Sequence, residues 1–202
     1  MDKNTLLKLI AETGYNVGFG AKTHFATYDI VEKAPGWISL LSFAVAIFAL
    51  FIDNIANNKY LAATLIIMGV AGMYITFYND KKETYEKNGV EMTKQFNSLK
   101  ILYQQVKNSS STDFTQELAQ LKQIENDFYS ITLSKQIFLS DWYAHIKFFW
   151  QHQIEWIDEQ KKFTLLRDKI PLSAHATIAL LILLGVYHYL PNFSNISKIW
   201  CH

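Results

Sequence analysis

Three long stretches of the chain contain no Asp, Glu, Lys or Arg, and they limit the fold more than any other feature. They cover residues 34–52, 60–79 and 170–190, which are 19, 20 and 21 residues long. At about 1.5 Å per residue, each forms a helix about 30 Å long, which is the thickness of the hydrocarbon core of a bilayer. The sequence between them is densely charged. This contrast predicts three transmembrane helices.

Aromatic side chains lie near the ends of these stretches, as they do where membrane helices meet lipid headgroups. Trp37 opens the first stretch, Tyr60 opens the second and Tyr78 lies at its end. Burial inside a soluble bundle is the alternative, and it is most open for the third stretch, which contains His175 and His188. A signal peptide is disfavoured, because 33 residues of mixed polarity precede the first stretch.

The distribution of lysine and arginine predicts the orientation in the membrane. Of 19 such residues, only Lys59 lies between the first two stretches and only Lys198 follows the third. Cytoplasmic loops carry the excess of positive charge. The sequence therefore predicts that residues 1–33 and 80–169 are cytoplasmic and that residues 191–202 form an external tail, with the chain in the inner membrane.

Helical periodicity and helix-ending residues divide the N-terminal segment. Residues 1–33 are amphipathic, and Gly14 predicts the end of a first short helix. A second helix is predicted over residues 21–33, ending before Pro35.

The middle segment, residues 80–169, reads as three helices. Periodic apolar residues over 80–107 predict that the second span continues as one long rod. The linker NSSST at residues 108–112 ends it, Asp113 can cap the next helix, and a third aromatic-rich helix is predicted over 140–168. The predicted fold is an all-α membrane protein with an N-terminal two-span hairpin at residues 34–79, a cytoplasmic long-helix bundle and an additional C-terminal span.

Motifs for catalysis or cofactor binding are absent from the sequence. It contains no GxSxG elbow, no phosphate-binding GxxxxGK[ST] loop and no HxxxH box. His145 and His152 are seven residues apart and are predicted to share a helix face, but a metal pair prefers a spacing of three or four. The 13 basic and 13 acidic residues of the middle segment cancel, which gives no overall attraction for nucleic acid. We expect no catalytic residue, no metal and no cofactor.

Small residues recur on possible contact faces of the first two spans. Such residues let membrane helices approach closely, within one chain or between copies. The predicted packing residues are Ser42 and Ala46 on the first span and Gly69, Gly72 and Thr76 on the second.

The segment YNVGFGAKTHFATYDI at residues 15–30, followed by a two-span hairpin and a long helical segment, resembles the SLATT superfamily. These are bacterial two-span membrane effectors associated with nucleotidyltransferase-based defence operons. The resemblance covers about residues 5–165, and its best-matching element is GAKTHF, Gly20 to Phe25. It implies an anti-phage effector that permeabilises the inner membrane under control of a nucleotide signal made by a partner nucleotidyltransferase. Lys22 and His24 then become the candidate signal-sensing or coupling residues.

Three functions are compatible with the sequence. The first is a homo-oligomeric pore or channel, because three spans cannot enclose a wide aqueous path alone. The second is a non-conducting membrane sensor or scaffold that recruits a cytoplasmic partner through the aromatic segment. The third is a membrane enzyme with a histidine metal site. The first is the function we predict.

Overall fold

The computed structural model describes the backbone of residues 1–196 and the side chains of residues 1–187. Within that range it contains helices and no strand, which confirms the all-α prediction. Residues 1–162 form one compact unit, and a second unit begins at Phe163. The helices are α1 Lys3–Ala49, α2 Asp53–Ala56, α3 Lys59–Thr76, α4 Lys82–Asn108, α5 Thr115–Ile131, α6 Ser140–Phe149, α7 Glu155–Lys161, α8 Leu165–Asp168 and α9 Leu172–Ile196, with a 3-10 turn Asn79–Lys81 before α4.

Helix α1 is continuous over 47 residues, so the two predicted breaks at Gly14 and Pro35 are wrong. Asp2 caps its start by accepting a hydrogen bond from the Thr5 amide at 3.0 Å. Gly14 is not a terminator but a contact point, because a Cβ there would lie 2.3 Å from the Trp156 ring. Pro35 removes one backbone hydrogen bond and crowds the carbonyl of Val31, yet the helix continues through it.

The first two-thirds of α1 packs with α4, α5, α6 and α7, and we call this assembly the polar bundle. Apolar side chains on one side of each helix supply its core, as the periodicity predicts. Among the fully buried ones are Leu6, Ile10, Val17, Met92, Leu99, Leu102, Tyr103, Phe148 and Ile157.

Gly18 lies where α1 approaches two buried rings. A Cβ at this position would meet Phe96 at 2.7 Å and Phe148 at 2.9 Å. We expect Gly18→Ala to lower the free energy of unfolding by about 1–3 kcal/mol, because neither buried ring has room to withdraw. Gly36→Ala is the matched control, since its Cβ meets nothing within 4 Å and alanine favours a helix by up to about 1 kcal/mol. Thermal unfolding of both variants gives their midpoints. A higher midpoint for Gly18→Ala than for Gly36→Ala would contradict the described packing at Gly18.

The second apolar helix does not continue into α4, so the predicted rod is wrong. Helix α3 ends at Thr76, and a short turn including Asn79–Lys81 precedes α4. Tyr78, in that turn, is buried and donates its hydroxyl to the Gln136 carbonyl at 3.2 Å. This long-range contact stabilises the turn, and the local sequence does not predict the contact.

The aromatic segment predicted as one helix over 140–168 is three shorter helices, α6, α7 and α8. Helix α6 ends at Phe149, and Lys162 ends α7 in a left-handed conformation with φ of 51°. Phe148 of α6 and Trp156 of α7 are both buried in the core. The linker after Asn108 is confirmed. Asp113 is not the N-cap of α5, because Phe114 occupies that position, but it accepts a hydrogen bond from the Thr115 amide at 3.1 Å.

Two helices are long and apolar enough to cross a membrane, α1 through its C-terminal part and α3. Only 6% of the most apolar stretch of each is buried. The core helix of a soluble protein is mostly buried, and these two helices are not. They agree with the first two predicted spans and support a membrane protein.

The second unit contains α8 and α9. Thr164 donates its amide to the Asp168 carboxylate at 2.9 Å and so begins α8. The apolar part of α9 with described side chains is Leu172–Tyr187, which is shorter than a full span. The third crossing and the external tail therefore stay predictions. The side chain of His188 and residues 197–202, which include Lys198, lie outside the described part of the chain.

Candidate functional site

Residues 132–139 join α5 to α6 without forming a helix, and we call this segment the strap. Side chains from α4 and from the turn before it hold its backbone. Asn88 donates to the Ile131 carbonyl at 2.6 Å, at the start of the strap. Tyr85 donates its hydroxyl to the Lys135 carbonyl, and Tyr78 donates to the Gln136 carbonyl.

The strap is also bound to α1. Thr27 donates its hydroxyl to the Gln136 side-chain oxygen at 2.5 Å. The Gln136 side chain in turn donates to the Leu133 carbonyl at 2.7 Å, which closes the strap on itself. The strap therefore bridges α1 and α4 through fixed polar contacts rather than through a helix of its own.

One apolar cluster joins the strap to the apolar helices. Ile137 is 3% exposed and packs with Val31 of α1 and Ile75 of α3. Ile38 and Ala34, at the start of the apolar part of α1, pack against the same cluster. The strap thus lies where the polar bundle meets both predicted spans.

His24 is the link between α1 and the first part of the strap. It is 1% exposed, and its Nε2 accepts a hydrogen bond from the Leu133 amide at 3.2 Å. Its Nδ1 lies 2.8 Å from the Gly20 carbonyl, so Nδ1 carries the proton and the ring is neutral. Burial lowers the pKa of His24, and the Gly20 bond only partly opposes this. A protonated ring would lose the Leu133 bond.

The other residues of GAKTHF make close helix contacts. A Cβ on Gly20 would lie 2.9 Å from the Phe128 ring, so the glycine allows α5 to pack closely against α1. Phe25 packs on α4 at Gly89, where an added Cβ would lie 3.1 Å from its ring. The motif is therefore the point where α1 meets α4, α5 and the strap.

Lys22 is the lysine of the motif, and its side chain is half-buried. Burial lowers the pKa of Lys22, and Lys147 lowers it further. Lys147 itself is neutralised by Asp29, which also accepts from Lys33 at 2.6 Å. Within the described residues no carboxylate forms an ion pair with Lys22. A half-buried cation in this setting attracts anions.

His152 is a neutral ring close enough to Lys22 to be influenced by its charge. It packs on Phe96 with ring centroids 4.6 Å apart. Burial, followed by the charges of Lys22 and Lys100, lowers its pKa to about 4, although Glu155 opposes the shift. His152 lies beyond the end of α6, so the predicted shared helix face with His145 is wrong. The described residues contain no group of three metal-ligating side chains.

The shift at His152 predicts a pH dependence of stability. The folded state keeps this ring neutral down to about pH 4, whereas the unfolded state protonates it near 6.5. Stability is therefore complete above pH 6.5 and falls as pH drops from there towards 4. We expect His152→Gln to reduce this fall, measured as the thermal midpoint at about pH 7 and about pH 5. His24 acts in the same direction, so part of the fall remains; an unchanged fall would contradict the assignment.

The predicted packing residues occupy different surroundings on the apolar helices. A Cβ on Gly72 would lie 4.0 Å from Ile38, so Gly72 lies beside α1 within the same chain. Gly69 has nothing within 4 Å, and Ala46 and Thr76 are exposed. Ser42 is partly buried. Their role in contacts between copies stays a prediction.

Three residues that bind the strap escaped the sequence analysis, Thr27, Tyr85 and Asn88, and so did Gln136 within the strap. Polar residues scattered through amphipathic helices give no sign of their partners. The bond from Tyr85 to the strap spans 50 residues and that from Thr27 to Gln136 spans 109. The available signal was Thr27, which lies two residues after the motif on the same face of α1 as His24 and Gly20.

Comparison with known proteins gives the family. Searches among curated proteins and among solved structures found no match. The sequence model of SMODS and SLOG-associating 2TM effector domain 6 matches residues 1–178, which include the motif, both apolar helices and the strap. The predicted resemblance is thereby confirmed, and the description agrees with the two membrane-length helices. The chain belongs to the SLATT effector domains, two-transmembrane effectors linked to SMODS-type defence systems.

Proposed function

We propose that this protein is a homo-oligomeric pore- or channel-forming effector of a bacterial anti-phage system. In this proposal the polar bundle lies in the cytoplasm and α1 and α3 cross the inner membrane. A nucleotide signal made by a partner nucleotidyltransferase controls conduction, and permeabilisation aborts the infection.

The continuity of α1 is the observation that carries the proposal. One helix contains the motif in its first half and a membrane-length apolar stretch in its second. A shift or rotation of the polar bundle is therefore passed to the span without a flexible joint. The strap supports the same coupling to α3, because Ile137 packs on Ile75 and Tyr78 binds the Gln136 carbonyl.

Several copies are needed for conduction. The apolar helices leave large side chains exposed, including Phe43 at 65% and Val70 at 62%. Two helices of one chain enclose no channel, and close approach of copies in lipid requires small residues. Gly69, Ala46 and Thr76 are the exposed small residues that we assign to the contact between copies.

The contact between copies can be tested at Gly69. We expect Gly69→Leu to abolish ion leakage from liposomes without lowering the thermal midpoint, because leucine there blocks the approach of another helix, while a Cβ at this position has no atom of its own chain within 4 Å. Ala71→Leu is the control, since residues two apart lie on nearly opposite sides of a helix. Equal leakage from both variants would contradict the assigned face.

Lys22 is the proposed signal-sensing residue and His24 the coupling residue. Nucleotide signals carry phosphates, and a desolvated lysine without a carboxylate partner supplies the cation that a phosphate seeks. Two residues further along α1, His24 holds the strap. Signal capture and transmission are thus adjacent on one helix.

The proposed function is tested by ion flux. The purified chain in liposomes is expected to release an entrapped dye or dissipate a potassium gradient in response to one of a panel of cyclic oligonucleotides. Expression with the partner nucleotidyltransferase is expected to depolarise cells on infection. If flux and depolarisation stay at background in every signal state, the pore is wrong. A cytoplasmic protein captured without conductance would then favour the sensor or scaffold.

A further inference from the structure

The strap carries an exposed apolar tip at the base of the polar bundle. Phe138 is 74% exposed and the adjacent Leu139 is 47% exposed. Leu139 has φ of 69°, a left-handed conformation that a leucine rarely adopts. A residue held in such a conformation next to an unburied phenylalanine points to a contact made outside the folded chain.

The position of this tip relative to the apolar helices is fixed by its neighbour. Ile137 is buried against Ile75 and Ile38, which belong to the two membrane-length helices at their ends nearest the polar bundle. Consecutive Cα atoms are about 3.8 Å apart, so Phe138 lies at the same level.

Two other exposed aromatic residues occupy this level. Trp37 is 62% exposed and precedes Ile38, and Phe77 is 74% exposed and precedes Tyr78. Ile38 and Tyr78 both belong to the cluster around Ile137. Three exposed aromatic side chains are therefore each one residue away from the same apolar cluster, and aromatic residues at one level are typical of a membrane–water interface.

We propose that Phe138 and Leu139 insert into the lipid headgroup region and form a third membrane contact, in addition to the two spans. The occupant of the exposed tip is the bilayer, because the tip is continuous with the lipid-facing surface at the ends of α1 and α3. Lys135 belongs to the same contact: its Nζ lies 4.9 Å from the centre of the Tyr78 ring, and the side chain is otherwise exposed. A lysine beside apolar side chains favours anionic headgroups. This inference rests on the membrane crossing in the proposed function but not on pore formation.

Depth-dependent quenching tests the contact. The single cysteine, Cys201, is replaced by serine, and a cysteine carrying an environment-sensitive fluorophore is introduced by Phe138→Cys. Ile101→Cys is the matched control, because Ile101 is 60% exposed on α4 but lies towards Asn108, whose neighbour Ser109 binds Lys3 at the start of α1. Ile67→Cys, 68% exposed on α3, reports the span itself.

In vesicles of phosphatidylethanolamine and phosphatidylglycerol, we expect the label at 138 to emit at shorter wavelength than the label at 101. Nitroxides near the headgroups should quench it, those deep in the acyl chains should quench the label at 67, and neither should quench the label at 101. If the label at 67 is quenched and the label at 138, like that at 101, is not, the inference is overturned and the proposed function stands. Loss of quenching at both sites overturns both. A blue shift at 138 that follows protein density without lipid quenching means a second copy covers the tip, and also overturns the inference.

Discussion

His24→Phe is expected to lower the free energy of unfolding by about 1–3 kcal/mol, because the partly buried Leu133 amide loses its hydrogen-bond acceptor. The ring volume is nearly kept, so the effect reports the polar contact rather than a cavity. Leu133 lies in the first part of the strap. Releasing this part of the strap from His24 is expected to uncouple the polar bundle from the apolar helices. Ion flux from the variant is therefore expected to be the same with and without the nucleotide signal.

His145→Phe is the control for this substitution. His145 makes the same kind of bond to a preceding carbonyl, with its Nδ1 2.8 Å from the Asp141 oxygen, and packs on Phe19. It binds no strap residue, so stability and signal response are expected to stay close to wild type. Thermal unfolding and liposome flux measure both variants. A His24→Phe protein as stable and as responsive as His145→Phe would remove His24 from the coupling site.

The sequence predicts the buried faces of the helices better than it predicts their ends. The faces of α4 and α5 were predictable because their apolar residues repeat every three or four positions, as at Leu121, Ile124 and Phe128, which are all buried. The ends of helices were predicted badly. Gly14 looks like a stop, yet Trp156, far along the chain, packs on it and keeps α1 whole. Tertiary contacts decide such positions, and periodicity does not contain them.

The candidate site was predictable only on the side of α1. Lys22 and His24 were identified through the resemblance of GAKTHF to a family, not through any chemical pattern. The strap has no helical or strand periodicity, and the polar groups that bind it, such as Asn88 and Tyr85, lie on another helix. A site made of hydrogen bonds between distant segments appears only once the chain is folded.

Lys22→Met is expected to separate stability from function. Removing this charge relieves the repulsion with Lys147 and raises the pKa of His152, so the fall in stability below pH 6.5 becomes smaller. Lys22 lies near another cation and forms no ion pair with a carboxylate in the described chain, and we propose that it binds a phosphate of the signal. The variant should therefore unfold at a higher temperature at about pH 5 and lose its flux response to the signal.

Lys147→Met is the matched control, with the same chemical change on the facing helix and the opposite expected sign. Lys147 and Asp29 are each 15% exposed and paired, so removing the lysine leaves a largely buried carboxylate with Lys33 alone. Hydrogen bonds to charged groups are worth about 1.5–3 kcal/mol, and a loss of this order is expected. Thermal midpoints and signal-dependent flux are measured on both proteins. If Lys22→Met is destabilised like Lys147→Met, or still responds to the signal at wild-type concentrations, Lys22 is a packing residue and the signal binds elsewhere.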